Sequence, residues 1–368
     1  MAAGETVSPH RYAASERWLH DLAFRSWDVM LLLAALESRS LGRRARALAI
    51  QRPVFITALP RAGTTLLLEL CAATGEFATH RYRDMPFVLT PLLWDRFAGL
   101  FRRPEAPRER LHGDGMLIQV DSPEAFEEII WKGFWPSRYQ DRRILPWATP
   151  AFPDFEAFLR EHIRKLLYLR GGPATGLRYI SKNNLNIARI GYLRRVFPDA
   201  VIVVPFREPL QHAASLCHQH RRFLAIHRDS EFARRYMADI GHYDFGMNLR
   251  PVDFGGWCAD ADLAGAGELA FWLRYWQASY RYLLDQHRER VHFLAYDRLL
   301  DDPARDLGRL AGLLGLEDPA RLTQAAGRVR RPRQHPVETA ELAPALCRSV
   351  AALHGELQAA ACNPGDGD

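Results

Sequence analysis

The chain has 368 residues, 48% of them hydrophobic and 25% charged, a mix that excludes disorder over most of its length. Lys and Arg total 49 against 43 Asp and Glu, and the net charge of +6 favours an anionic partner without choosing among nucleotide, nucleic acid and membrane surface. Only three of the basic residues are lysines (Lys132, Lys165 and Lys182), and the length suits one large α/β domain with additions.

The first residues, MAAGETVSPHRYAASER, have no apolar core behind a basic start, so no signal peptide is expected and the location is read as cytoplasmic. The longest early apolar run, Val29 to Leu36, falls far short of the roughly 20 residues that cross a membrane. Residues 11–50 read as helices, with apolar residues at three- and four-residue spacing in WLHDLAF and WDVMLLLAALE. The basic run GRRARAL that follows reads as a solvated helix end. PVFITAL (53–59) reads as a buried strand, and TTLLLELCAATG (64–75) as a helix closed by a glycine. Residues 76–170 lack clean periodicity until PDFEAFLREHIRKLLYLR (153–170), an amphipathic helix opened by Pro153 and stopped by Gly171-Gly172.

A strand at 177–182, a helix at 187–197 and a strand at 200–206 come next. A helix opens near Pro209, a Trp- and Tyr-rich helix spans 268–288, a strand spans 291–296 and a helix spans 303–315. Such alternation predicts a parallel sheet with helices on both faces. Leu342, Leu346, Val350, Leu353 and Leu357 share one helical face in the tail. Five widely spaced cysteines without CxxC spacing predict neither a metal knuckle nor a disulfide framework.

The sharpest local signal is FITALPRAGTTLLLEL (55–70). A tight loop between a buried strand and a helix aims backbone N–H groups at one point, and the helix dipole adds positive potential there. Gly63 permits close approach, Thr64 and Thr65 supply hydroxyls at the helix start, and Arg61 supplies a charged fork. The NTPase loop GxxxxGK[ST] is only half present. Its first Gly is Ala58 and its Lys is Thr64, which argues against ordinary NTP hydrolysis.

These residues resemble the sulfotransferases that use 3′-phosphoadenosine 5′-phosphosulfate (PAPS), whose PxxGT[ST]-type loop follows the first strand. Pro60, Arg61, Gly63, Thr64 and Thr65 match, while Ala62 stands where a Ser is often found. A second match is VIVVPFREPLQHAASL, with Arg207 at a strand end and Ser215 eight residues on, the pair that the resemblance assigns to the donor's 3′-phosphate. A third is Tyr296-Asp297-Arg298-Leu299, whose Tyr the resemblance sets against the adenosine. The similarity runs in order over roughly 52–316 and is loose over 76–170 and 218–290.

The resemblance implies a bacterial-type, three-layer P-loop-like α/β fold, with a central parallel sheet flanked by helices. The organisation expected is an N-terminal helical extension (1–50), a sulfotransferase domain (51–335) with acceptor-side insertions at 76–170 and 218–290, and a C-terminal helix and tail (336–368). The implied function is in-line, metal-independent transfer of a sulfuryl group to a hydroxyl, or less readily an amine. The donor contacts expected are Arg61, Ala62, Gly63, Thr64, Thr65, Arg207, Ser215 and Tyr296. Lys182, in YISKNNLN, keeps only the Lys of a Glu-Lys-Thr-Pro-like segment. It is the candidate cation for the leaving oxygen, where a compact ammonium suits a single bridging atom.

FATHRYRDMPF offers Asp84, then His80, as the base that deprotonates the acceptor. Glu124, Glu127 and Glu128 read as a helix start. Trp131, Phe134, Trp135, Tyr139 and Trp147 form either an acceptor wall or packing, and Arg328, Arg330, Arg331 and Arg333 either a solvated loop or a further anion grip. The expected partner is a small-molecule, carbohydrate or lipid acceptor, not nucleic acid. The rivals are a kinase with a degenerate loop and a nucleotide binder without turnover.

Overall fold

The computed structural model describes residues 14–101, 108–109, 117–118, 121–148, 150–259 and 263–363. The first thirteen residues and the last five lie outside them. Five strands form one parallel sheet: β1 (Val54–Ile56), β2 (Phe77–Ala78), β3 (Arg178–Lys182), β4 (Val201–Phe206) and β5 (His292–Ala295). Their order across the sheet is β2-β3-β1-β4-β5, so the strand that feeds the loop at 57–63 lies in the middle. Arg108–Glu109 and Leu117–Ile118 pair as a separate short hairpin.

Alternation along the strands divides the apolar residues between two cores. Val54, Ile56, Val201 and Val203 face one core, while Phe55, Ile202, Val204 and Phe206 face the other. The helices in chain order are α1 (Ala14–Phe24), α2 (Trp27–Ser40), α3 (Thr64–Ala73), α4 (Pro91–Phe101), α5 (Glu128–Phe134), α6 (Pro153–Gly171) and α7 (Ile190–Val196). There follow α8 (Pro209–Asp229), α9 (Glu231–Asp239), α10 (Leu269–His287), α11 (Tyr296–Asp301), α12 (Pro303–Leu314), α13 (Pro319–Thr323) and α14 (Pro344–Ala359). Leucines of α3 and α12 fill the first core; α6, α7, α8, α10 and α14 cover the second. The result is the three-layer α/β architecture that the alternation implied.

The strands at 53–59, 177–182, 200–206 and 291–296 and the six central helices appear within a few residues of their expected places. Sequence periodicity missed β2, α4, α9, α11 and α13, while the helix start read at Glu124 to Glu128 becomes α5. Each is short or lies where aromatic and charged residues break the pattern. The trailing helix packs as its apolar face requires, with Val350, Leu353 and Leu357 buried. Beyond it Asn363 accepts from the Ala295 amide (2.9 Å) and donates to the Ala295 carbonyl (3.0 Å), pairing the chain end with edge strand β5. No helix among the described residues is long and apolar enough to cross a membrane.

Two of the three lysines are structural. Lys165 and Glu37 form a buried pair at 3.0 Å that ties α2 to α6. Lys132 caps the end of α9, donating to the carbonyls of Ala238 (2.8 Å) and Asp239 (2.7 Å).

Candidate functional site

In a parallel sheet the C-terminal strand ends and the loops leaving them all open on one edge, the usual place for a ligand. Here β1, β3, β4 and β5 end at a cavity of about 630 Å³. Its walls include Arg61, Gly63, Thr64 and Thr65 after β1, Lys182 at the end of β3, Arg207 after β4 and Tyr296 after β5. Ser215 reaches it from α8. Residues spread over more than 230 positions therefore meet in one space.

The loop after β1 is held in an unusual shape. Arg61 has φ of +71°, a left-handed conformation that costs a non-glycine residue about 1–3 kcal/mol. Three contacts hold the loop. Arg207 Nη1 donates to the Arg61 carbonyl at 2.9 Å, and Arg61 Nε donates to Ser215 Oγ at 3.4 Å. Beneath, His212 Nε2 donates to the Pro60 carbonyl at 2.7 Å. Burial first, and Arg207 second, push the His212 pKa down to about 3, so this imidazole stays neutral. Gly63 follows at φ +94°, and a Cβ there would lie 2.4 Å from the Tyr296 ring. Only glycine lets the ring close over the loop.

Arg207 is 3% exposed, and its buried Nε has no hydrogen-bond partner among the described residues. Desolvation lowers its pKa, which neighbouring Asp297 partly offsets. A largely buried guanidinium in a cavity wall, with a donor still unmet, suits an anion.

The Arg-rich segment also lines the cavity, through Arg328, Arg330, Arg331, Pro332, Arg333 and His335. The four arginines, expected to be either a solvated loop or an anion grip, are exposed and border the cavity. Gln211 and His335 exchange two hydrogen bonds: Gln211 Nε2 to the His335 carbonyl (3.1 Å), and the His335 amide to Gln211 Oε1 (3.0 Å). Arg328 pairs with Glu69 and Arg331 with Asp301, each at 3.2 Å, and Tyr296 Oη donates to the Arg330 carbonyl at 3.4 Å.

Three of the expected site residues do not reach the cavity. The Ala62 side chain is fully buried in the core, so only its backbone is left to the loop. Asp84 is 3% exposed, with both carboxylate oxygens 2.6 Å from Arg170 Nη2 and one accepting from the Arg81 amide at 2.8 Å. His80 is buried against His162, the two Nε2 atoms 2.8 Å apart, and desolvation lowers its pKa. Tertiary pairing, invisible in the local sequence, turns both candidate bases inward.

For Asp84→Ala we expect a stability loss of about 3 kcal/mol in urea unfolding, since it strands the buried Arg170 charge. Ligand affinity of the folded fraction should be unchanged. A fall in activity without loss of stability would return Asp84 to the site.

Residues without a local signal take part instead. Glu127 and Glu128, read as a helix start, are buried acceptors; Glu128 takes hydrogen bonds from Tyr139, Asn183 (2.7 Å) and Arg189. Trp131 and Trp147 pack in the core around Arg189. Asn184, His218, Gln219, Arg222, His242 and Asp244 line the cavity. On α8, Ser215, His218, Gln219 and Arg222 lie at i, i+3, i+4 and i+7, one helical face that was legible once Ser215 was placed. Among the described residues, no group of three or more His, Cys, Asp or Glu side chains is placed to hold a metal ion.

Comparison with known proteins is consistent with this geometry. The model of the sulfotransferase family matches residues 53–244. Sulfotransferase STF9 from Mycobacterium avium superposes with a TM-score of 0.51 at 16% identity, covering 88% of this chain and 80% of that one. Sulfotransferase STF1 from Mycobacterium tuberculosis H37Rv gives 0.49 at 16% identity, covering 90% and 84%. No curated protein sequence matches the chain.

Proposed function

The chain belongs to the sulfotransferase family, and we propose that it moves a sulfuryl group from PAPS to an acceptor hydroxyl. The observation that carries this reading is the stitching of two anion grips into one unit. Arg207 holds the backbone of Arg61, and Arg61 reaches Ser215. A ligand with phosphate at both ends fits such a pair. The loop from Arg61 to Thr65 takes the 5′-phosphosulfate, Arg207 and Ser215 take the 3′-phosphate, and Tyr296 flanks the adenosine.

A sulfuryl group carries one negative charge where a phosphoryl group carries up to two. Its transfer asks mainly for positioning and a cation at the leaving oxygen. Lys182 meets that need from the end of β3. Its partner in register, Ile56, is the last residue of β1, so ammonium and loop leave the sheet at the same level.

Titration calorimetry with 3′-phosphoadenosine 5′-phosphate (PAP) tests donor binding; we expect far tighter binding than for AMP. Labelled PAPS added to a host lysate should pass its label to a product that gains the mass of SO₃. PAP binding without transfer would leave a pure binder. Label accepted from γ-labelled ATP with Mg²⁺, and none from PAPS, would make the protein a kinase.

A further inference from the structure

The reaction needs a base for the acceptor proton, and the carboxylate and imidazole nearest the loop in sequence are turned inward. Resting on the reading above, we propose that His242 is the base and that Asp244 positions it.

Both residues line the cavity, and both also line a narrow crevice that opens from it beside Lys182, Asn183 and Asn184. The imidazole and the ammonium assigned to the leaving oxygen therefore border the same small space. Three features fix His242 there. The chain turns sharply after α9 at Gly241 (φ +82°), where a Cβ would lie 2.4 Å from Glu128 Cγ. Glu128 is itself anchored by Asn183, the residue after Lys182 (2.7 Å). The His242 amide then donates to the Met237 carbonyl at 2.8 Å.

His242 Nδ1 faces Asp244 Oδ2 at 3.7 Å, and a carboxylate on that side favours the tautomer with its proton on Nδ1, which makes Nε2 the basic nitrogen of the ring. Asn184 Nδ2 donates to the same carboxylate oxygen at 3.3 Å, and the Asn184 carbonyl accepts from Thr57 Oγ1 at 3.1 Å. The dyad is thus braced against the ends of both β1 and β3. Its side chains keep 19% and 17% of their surface exposed, enough to meet a substrate.

The other imidazoles of the cavity, His218 and His335, face each other with ring centroids 4.8 Å apart beside the Arg-rich segment, away from the crevice that His242 shares with Lys182. In the proposed step the acceptor oxygen attacks sulfur and its proton passes to His242 Nε2. The new O–S bond forms as the bond from sulfur to the bridging oxygen breaks. That electron pair stays on the 5′-phosphate of PAP, beside Lys182.

The test uses labelled PAPS with phenol, with 4-nitrophenol at weakly alkaline pH, and with host lysate. His242→Gln should lose about 10²–10³-fold of turnover with phenol, the usual share of a general base. It should lose less than about tenfold with 4-nitrophenol, which is already ionised and needs no base. PAP affinity should stay at the wild-type value, which also shows that the variant folds. Asp244→Asn should show a smaller loss with the same dependence on acceptor acidity.

Equal losses for both phenols, or none, would overturn the assignment. So would a larger loss for Asp244→Asn than for His242→Gln, which would make the carboxylate the base. Absence of PAPS turnover by the wild-type protein in every mixture would remove the parent reading and this one with it. Wild-type turnover with an unaffected His242→Gln variant would remove this one alone.

Discussion

Replacing Lys182 with methionine is expected to lower kcat by about 10²–10³-fold, the usual effect of losing one preorganised donor at a developing negative charge. Lys182 is 6% exposed, so its ammonium acts in a low dielectric where each charge counts for more than in water. In the transition state the bridging oxygen gains charge as the S–O bond opens, and in the ground state it carries little. Affinity for PAPS should therefore stay within about threefold of wild type, the pattern of an interaction made mainly in the transition state. Lys182→Arg separates charge from shape. A planar fork reaches two terminal oxygens more readily than one bridging atom, so we expect this variant to remain well below wild type. Single-turnover kinetics with labelled PAPS reads the chemical step directly. Unchanged single-turnover rates in Lys182→Met would remove the lysine from the reaction.

Arg207→Ala should weaken PAP binding by about 10²–10³-fold, since hydrogen bonds to a charged group contribute about 1.5–3 kcal/mol each and this guanidinium offers more than one. Two losses combine. The 3′-phosphate loses its buried cation, and the Arg61 carbonyl loses the donor that holds it in the left-handed region. Calorimetry with adenosine 5′-phosphosulfate, which lacks the 3′-phosphate, separates them. If the main role is phosphate recognition, the variant and the wild type should bind this shorter ligand with similar affinity. An equal loss for both ligands would show that Arg207 chiefly shapes the loop. Unchanged PAP affinity would place the 3′-phosphate elsewhere.

The parts of the site that were legible in the sequence are those whose chemistry is local. A strand, a tight turn and a helix start form an anion site within about ten residues, so Arg61 to Thr65 announce themselves. Arg207 and Lys182 were legible because strand ends in a parallel sheet share one edge. The residues proposed for the acceptor side were not. Asp84 looked available beside Arg81 and Arg83, but its partner is Arg170, 86 residues away. His242 and Asp244 sit in GHYDFG, where no period or motif marks them, and their approach to Lys182 depends on a turn seated against Glu128. Ala62 was expected to offer only its backbone, and its methyl is buried in the core.

The Gln211–His335 clamp has a kinetic meaning. It makes the Arg-rich wall a strap pinned at one end, while the rest is held by the pairs Arg328–Glu69 and Arg331–Asp301 and by the long hydrogen bond from Tyr296 to the Arg330 carbonyl. Such pairs contribute about 0–1 kcal/mol each and are screened beyond about 8–10 Å at ordinary ionic strength. Loosening the strap therefore leaves the sheet and both anion grips intact. For the nucleotide proposed above, added salt should shorten its residence by freeing the wall and weakening the phosphate contacts, which stopped-flow release of PAP at two ionic strengths would read. Under the proposed reading, ionic strength would then help to set how fast spent PAP leaves.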